Sequence, residues 1–176
     1  MTRAWDSHYT DLIEPEPYGD LRSYELAAEW VKGCATVEDR GCGKGWLRQF
    51  IDPNAYIGID GSNSPFADGM ADLTEYVSEC EGIVLRHVLE HSYEWTKILD
   101  CAVASFTRRL IVILFTPLVD VTQVLMTEPD YDDVPVIAFE PHDLTDRIPL
   151  DCETTVETIE APGSAYGVET LIRVAR

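Results

Sequence analysis

The sequence predicts an α/β fold, a three-layer sandwich whose mostly parallel sheet ends in a C-terminal antiparallel hairpin. Short apolar segments alternate with helical patterns over residues 20–126, as in strands that are joined by crossover helices. Residues 153–160 and 167–175 then alternate apolar and polar side chains around the turn-forming segment APGSAYG, which predicts two antiparallel strands. Residues 1–19 show neither pattern, so we expect an extended arm followed by one domain over residues 20–176.

The first half of the domain has the sequence features of two helices and four strands. Asp20 is a good N-cap for a first helix, whose apolar positions recur at helical spacing until Gly33. A shorter helix is expected over residues 44–50, because Pro53 ends it. Strands are expected at residues 35–39, 55–60, 66–73 and 82–87, and the third of these has the weakest pattern.

The clearest helical pattern lies in the middle of the chain. Ser92 is a candidate N-cap, and apolar residues recur at helical spacing from Trp95 to Phe106. The Arg108–Arg109 pair is expected at the end of this helix, where the helix dipole favours cations. The apolar run LIVILF, residues 110–115, predicts a strand that is covered on both faces. A further helix is expected over residues 119–126.

Composition limits the classes of partner. The chain has 13 Lys and Arg against 32 Asp and Glu, a formal net charge of −19, and no run of basic residues. Such a surface repels phosphate groups, so neither a nucleic acid nor an anionic membrane is expected to bind. The 5 cysteines lack C-x-x-C spacing, which predicts reduced thiols in a cytoplasmic protein. We find no secretory signal and no apolar stretch long enough to cross a membrane.

The segment VEDRGCGKG carries the strongest local signal for a ligand. A predicted strand leads into Gly41-x-Gly43-x-Gly45, whose backbone can approach a ligand closely. Asp39 precedes this loop and favours an ammonium or sulfonium group over a pyrophosphate. Trp46 stands where the dinucleotide-binding fingerprint has a glycine. Asp60 ends the next strand, where a carboxylate can accept hydrogen bonds from ribose hydroxyls, so the pattern favours a cationic nucleoside over NAD.

Five segments in order, VEDRGCGKG, YIGIDGS, ADL, RHVLEH and LFTP, resemble class I S-adenosylmethionine-dependent methyltransferases. The resemblance covers residues 20–176. The whole chain is most similar to short methyltransferase-domain proteins of bacteria and their phages. It implies a Rossmann-like sheet and S-adenosylmethionine as cofactor. By position it implies that Asp39, Gly41, Cys42 and Gly43 hold the methionine end, Asp60 the ribose, Gly61 and Ser62 the region beside the adenine, and Asp72 and Leu73 the adenine itself.

The segment RHVLEH supplies the candidate catalytic residues His87, Glu90 and His91. The resemblance implies that His87 stands near the sulfonium and the acceptor. An ordinary histidine accepts a proton near neutral pH, and we expect Glu90 to raise the pKa of His87. The alternative is that His87 only caps the following turn. His87 and His91 at i and i+4 also resemble a metal pair, but the order H-E-x-x-H is absent, so no metal is expected.

Three features depart from the family pattern. Arg40 occupies a position that is usually apolar, so we expect either an unusually polar end of the first strand or a pairing of Arg40 with an acid. About eight residues separate Asp60 from the weak third strand, fewer than a crossover helix needs, so a loop is expected there. This leaves both Asp68 and Asp72 as candidates to face the adenine. No bulky insertion is present for substrate recognition.

The leading interpretation is an enzyme that moves a methyl group to an oxygen or nitrogen of a small-molecule acceptor. The alternatives are a non-catalytic domain that binds S-adenosylmethionine for regulation or structure, and a dehydrogenase-like nucleotide binder, which Asp39 and Trp46 disfavour. The aromatic residues of the arm, Trp5, Tyr9 and Tyr18, either pack on the domain or close over the cofactor. The acceptor and the oligomeric state have no signature in the sequence.

Overall fold

The computed structural model describes Trp5, Tyr9, residues 13–128 and residues 134–176. Its strands are β1 (Val37–Arg40), β2 (Tyr56–Asp60), β3 (Gly69–Met70), β4 (Cys80–Arg86), β5 (Phe106–Leu114), β6 (Gln123–Glu128), β7 (Val134–Ala138), β8 (Glu153–Glu160) and β9 (Val168–Ala175). Its helices are α1 (Leu21–Trp30), α2 (Trp95–Ser105) and α3 (Pro141–Thr145), with 3-10 turns at Trp46–Gln49 and Leu89–His91.

Seven strands form the central sheet in the order β3-β2-β1-β4-β5-β9-β8. The first five in this order are parallel, and β9 and β8 are antiparallel to their neighbours. The predicted mostly parallel sheet with a C-terminal hairpin is therefore confirmed. Because β1 pairs with both β2 and β4, the carboxyl ends of these three strands meet at one edge of the sheet.

Two apolar layers cover the sheet, as the three-layer prediction requires. On one side α2 packs against alternate residues of β4 and β5, such as Leu85 and Val112. On the other side α1 packs against the intervening residues, such as Val84 and Ile111. Both central strands are buried on both faces, which explains their continuous apolar sequence.

The predicted N-cap is confirmed for α1 but not for α2. Asp20 caps α1, since its Oδ1 accepts a hydrogen bond from the Arg22 backbone N at 2.9 Å. Glu94 is the N-cap of α2, and Ser92 instead accepts a hydrogen bond from the backbone N of Glu94 at 3.2 Å. The expectation for Arg108 and Arg109 was wrong. Both lie in β5, because the strand begins directly where α2 ends.

The predicted helix over residues 119–126 was also wrong, because this segment contains β6. β6 pairs in antiparallel fashion with β7, a strand that the sequence analysis missed, and Val124 lies opposite Ile137. β-branched residues and a partner strand thus prevail over an ambiguous apolar pattern. The short helix expected over residues 44–50 is reduced to a single 3-10 turn.

The departures from the family pattern have local structural consequences. Residues 61–68 form turns and bends rather than a helix, as expected from their number. Arg40 is buried and forms an ion pair, the second of the two alternatives, with its Nη2 2.8 Å from Glu38 Oε2. Tyr76 and Ser78 also hydrogen-bond to this glutamate. These hydrogen bonds and the ion pair therefore form a polar network that compensates the buried charges of Arg40 and Glu38.

Among the described residues, no helix is long and apolar enough to cross a bilayer.

Candidate functional site

A cavity of about 120 Å³ opens at the carboxyl edge of β1, β2 and β4. In α/β sheets of this type ligands bind at this edge. Several residues that the sequence analysis selected line it together, namely Asp39, Gly41, Cys42, Gly43, Asp60, Leu73, His87 and His91. The other selected residues, Gly61, Ser62, Asp72 and Glu90, lie outside its lining.

The loop after β1 requires glycine at the two positions that line the cavity. Gly41 has φ +78°, and a Cβ there would lie 2.5 Å from Val88 Cγ2. Gly43 has φ +48°, and a Cβ there would lie 3.0 Å from the hydroxyl of Tyr9. Side chains at these positions would be strained and would enter the space beside the cavity. The loop therefore presents bare backbone to a ligand.

Asp60 connects the end of β2 to this loop. Its Oδ2 accepts a hydrogen bond from the backbone N of Gly43 at 2.8 Å. Its Oδ1 accepts two from Ser62, at 2.8 Å from the backbone N and 2.6 Å from Oγ. A carboxylate offers about four acceptor positions, so capacity for a ligand hydroxyl remains. Asp60 is buried and lines the cavity.

Asp39 is a buried carboxyl group beside the loop. Burial raises the pKa of Asp39 to about 7, the hydrogen bond from the Tyr56 hydroxyl at 2.8 Å lowers it, and the charge of Asp60 raises it further. No lysine or arginine of the described residues forms an ion pair with it. A positively charged ligand group in the cavity would favour its ionised form. This position suits an ammonium or a sulfonium.

The two acids that were candidates for the adenine have local roles. Asp72 is exposed, and its Oδ1 accepts hydrogen bonds from the Thr74 backbone N at 2.9 Å and Oγ1 at 2.7 Å. These bonds lower the pKa of Asp72 to about 2. Asp68 accepts hydrogen bonds from Arg48 and from the backbone N of Gly58. Leu73 is buried and lines the cavity.

His87 follows β4 directly and has φ +55°, the one positive value of a non-glycine residue in the described part of the chain. Its Nε2 lies 3.0 Å from Glu169 Oε1. Burial lowers the pKa of His87 to about 4, Arg86 lowers it further, and Glu169 opposes both. The expectation that Glu90 raises this pKa was wrong, because desolvation dominates and Glu169 is the neighbouring carboxylate.

Glu169, which contacts the cavity residue His87, was not predicted from the sequence. It lies on β9, 82 positions after His87, and is fully buried. One signal was available. In the alternation of β9, Glu169 shares a face with the core residue Leu171, so an acid stands at a position of apolar character.

Glu90 and His91 differ in their relation to the cavity. Glu90 is fully buried, burial raises its pKa to about 8, and its Oε1 accepts a hydrogen bond from the Phe115 backbone N at 2.7 Å. The His91 ring lies between Trp5 and Phe115, with both ring centroids 5.3 Å away. Burial lowers the pKa of His91 to about 4. The described residues contain no cluster of three or more side chains that could hold a metal ion.

The N-terminal arm contributes aromatic residues to the cavity. Trp5, Tyr9 and Tyr18 all line it, and the rings of Trp5 and Tyr9 stack with centroids 6.4 Å apart. Pockets for small molecules commonly have volumes of about 300–1,000 Å³. With Trp5 and Tyr9 in these positions, the cavity is smaller than a nucleoside-sized ligand needs.

The chain is similar to known proteins in its fold but not in its sequence. No protein-family model and no curated protein sequence matches the chain. The N-methyltransferase NodS of Bradyrhizobium japonicum, solved with S-adenosylhomocysteine, has a TM-score of 0.64 at 13% identity, covering 99% of each chain. The 1,6-didemethyltoxoflavin-N1-methyltransferase of Burkholderia thailandensis, solved with its acceptor and S-adenosylhomocysteine, has a TM-score of 0.63 at 14% identity, covering 89% of this chain and 76% of that one.

A third solved structure also has a similar fold. The magnesium protoporphyrin IX methyltransferase of Synechocystis PCC 6803, also with S-adenosylhomocysteine bound, has a TM-score of 0.58 at 14% identity. It covers 88% of this chain and 82% of that one. At such identities the similarity concerns the fold. This strand order, this hairpin and these similarities together show that the chain has the fold of the class I S-adenosylmethionine-dependent methyltransferases.

Proposed function

We propose that this protein transfers a methyl group from S-adenosylmethionine to an oxygen or nitrogen atom of a small-molecule acceptor. The observation that carries the proposal is the grouping of a glycine loop, two buried carboxyl groups and a buried leucine around one cavity at the carboxyl edge of the sheet. The similar folds that were solved with S-adenosylhomocysteine give further support.

The residues present fit this cofactor. Asp39 lacks a cationic partner among the described residues and suits the ammonium of the methionine end, next to the backbone of Gly41, Cys42 and Gly43. Asp60 has remaining acceptor capacity for a ribose hydroxyl. Leu73 offers an apolar surface to the adenine, with Gly61, Ser62 and Asp72 assigned to its surroundings. When bound, the cofactor supplies an electrophilic methyl group on a positively charged sulfur.

The protein's own groups hold and deprotonate the acceptor. His87 is neutral near pH 7 because burial lowers its pKa, so its ring can accept the proton that an acceptor hydroxyl or ammonium releases. His91 forms part of the wall beside it. Glu90 supports the site through the backbone at the end of β5 rather than through the cavity. Alignment of the acceptor with the methyl group supplies most of the remaining rate enhancement.

The N-terminal arm acts as a lid in this proposal. Trp5 and Tyr9 occupy space that the cofactor needs, so the arm shifts when the cofactor enters and then covers it. Closure of this kind excludes water from the reaction. Deletion of the arm therefore separates its effect on cofactor affinity from its effect on stability.

Charge and cysteine chemistry support the remaining assignments. The net charge of −19 disfavours a nucleic acid or an anionic membrane surface as acceptor. All 5 cysteines are free thiols, which fits a reducing compartment, and we assign the protein to the cytoplasm. The acceptor is accordingly a soluble small molecule.

The test uses the small-molecule fraction of an extract of the source cells. Purified protein and methyl-labelled S-adenosylmethionine are added, and labelled products are separated and counted. We expect a labelled product with the wild type and a rate about 10²–10⁴ times lower with His87→Ala at unchanged cofactor affinity. Cofactor binding without any product would favour the non-catalytic alternative, and an unchanged rate in His87→Ala would remove this histidine from the mechanism.

A further inference from the structure

The pair formed by His87 and Glu169 joins two strands that are distant in sequence. His87 follows β4 and is 9% exposed, and Glu169 lies near the start of β9 and is 0% exposed. The 3.0 Å between Nε2 and Oε1 is short, but the approach departs from the direction of an ideal hydrogen bond. Catalytic hydrogen bonds are often poorly aligned before the ligands bind. A buried histidine that lines the cavity thus faces a buried acid that lies behind it, outside the lining.

The backbone holds His87 in this arrangement at a cost. A left-handed conformation is unfavourable for a residue with a side chain and persists only where the surrounding structure enforces it. The conformation is fixed by a hydrogen bond from the His87 backbone N to the Ile113 oxygen at 2.9 Å. Gly19 packs close to the ring, since a Cβ there would lie 3.1 Å from His87 Cε1. The surrounding structure therefore determines the position of the ring closely.

His87 and Arg86 together keep the acid ionised. Arg86 makes several contacts. Its Nη2 lies 3.4 Å from Glu169 Oε1 and donates to the Tyr18 oxygen at 2.7 Å, and its Nε donates to Ser23 Oγ at 2.9 Å. Although burial raises the pKa of Glu169, the neighbouring His87 and Arg86 hold it below its ordinary value. The carboxylate thus remains an acceptor for a ring N–H.

We propose that Glu169 is a positioning residue, which accepts the Nε2 proton of His87 and leaves Nδ1 as the atom that takes the acceptor's proton. His87 Nδ1 is buried and has no hydrogen-bond partner among the described residues, as expected for an atom that waits for a ligand. In such a pair the carboxylate fixes the tautomer and orientation of the ring and stabilises the imidazolium that forms. The role in catalysis rests on the proposed function, but the tautomer does not.

This arrangement also limits the acceptor. The proton that leaves the acceptor passes to Nδ1, the acceptor's oxygen or nitrogen forms the bond to the methyl carbon, and the carbon–sulfur bond breaks with its electron pair going to sulfur. The acceptor therefore enters as a hydroxyl or an ammonium that carries a removable proton. A thioether has none and would gain nothing from this pair.

The test is nuclear magnetic resonance of the full-length protein with nitrogen-15-labelled histidine. The chain has 4 histidines, His8, His87, His91 and His142, and a His87→Gln spectrum assigns the signal of interest. At neutral pH we expect one tautomer for His87, with the proton on Nε2. Glu169→Gln removes the charge at similar size and should produce a measurable fraction of the Nδ1–H tautomer. Glu169→Asp, which retracts the carboxylate, is a second variant with the same expected direction.

Glu157→Gln is the matched control. Glu157 lies on the neighbouring strand β8 and forms an exposed ion pair with Arg173, whose Nη1 is 2.6 Å away. Loss of this ion pair should leave the His87 tautomer unchanged. A general change in the hairpin would instead alter the tautomer ratio in both Glu157→Gln and Glu169→Gln. A wild-type His87 with its proton on Nδ1 would overturn the proposal, as would an unchanged tautomer ratio in both Glu169 variants. Neither result depends on cofactor binding or product formation, so the two proposals fail separately.

A kinetic measurement follows once a labelled product is detected. We expect Glu169→Gln to lower the rate of methyl transfer at least tenfold without changing the affinity for S-adenosylhomocysteine. In a His87→Ala background the same substitution should have no further effect, because Glu169 acts through the ring. Equal losses in both backgrounds would assign Glu169 a structural role instead.

Discussion

The carboxylate of Asp60 accepts a hydrogen bond from the backbone N of Gly43 at 2.8 Å, which ties the end of β2 to the loop after β1. The residue assigned to the ribose thus also shapes the loop assigned to the methionine end. Cofactor binding and local stability are coupled through this one side chain. Its substitution is therefore expected to affect both.

Asp60→Ala should remove cofactor binding and also lower the melting temperature. It strips the backbone donors of Gly43 and Ser62 of their acceptor, and each lost hydrogen bond to a charged group costs about 1.5–3 kcal/mol. We expect the affinity for S-adenosylhomocysteine to fall at least tenfold in a calorimetric titration. Ser62→Ala is the control, because it removes one hydrogen bond but keeps the carboxylate. Wild-type affinity in Asp60→Ala would refute the assignment.

Cofactor affinity should rise with pH through about 7. Asp39 has a raised pKa of about 7, so below this value it carries a proton that must leave before it can pair with a cation. The affinity for S-adenosylhomocysteine should accordingly fall by up to about tenfold for each pH unit below 7. Titrations at several pH values check this, with Asp39→Asn as the variant expected to have a flat profile. A profile that is equally steep in both would contradict the role of Asp39.

Deletion of residues 1–17 should weaken cofactor affinity more than it lowers the melting temperature of the free protein. It removes Trp5 and Tyr9 from the cavity wall and the contact of Glu16 with Lys44. Glu16→Gln removes the charge of that exposed contact alone and should leave affinity unchanged. A large loss of stability at unchanged affinity would show that the arm only packs on the domain.

Glu90→Gln should raise stability at alkaline pH. The folded-state pKa of about 8 exceeds the ordinary value of 4.5, so the folded protein binds more protons than the unfolded chain between these values. The wild type therefore loses stability as pH rises through this range. The glutamine can still accept the hydrogen bond from Phe115 but does not ionise. Melting curves should show equal stability of the variant and the wild type near the ordinary pKa. At about pH 9 the variant should have the higher melting temperature, by about 2–4 °C for each kcal/mol of stability that the wild type loses through ionisation of Glu90.

A decrease in the melting temperature of Glu90→Gln at alkaline pH would show that the ionised form stabilises the end of β5.

The sequence predicted what local patterns determine. The strands up to β5, the C-terminal hairpin, the cap at Asp20 and the shortened connection after Asp60 all follow from periodicity, turn residues and chain length. The ion pair of Arg40 was one of two expectations, because a buried charge needs a partner.

What the sequence did not predict depends on distant partners. β6 becomes a strand because β7 lies beside it, and Arg108 joins β5 because α2 ends immediately before. Glu169 enters the site through the antiparallel pairing of β9 with β5. No pattern near His87 indicates this partner, and only the fold brings the two together.

The central claim is tested most directly by calorimetric titration of the wild-type protein with S-adenosylhomocysteine, with NAD as the comparison. The glycine loop, Asp39 and Asp60 predict binding of one molecule of S-adenosylhomocysteine per chain and no detectable binding of NAD, whose pyrophosphate would face the buried carboxyl groups. No heat of binding with S-adenosylhomocysteine, or equal affinity for NAD, would contradict the account.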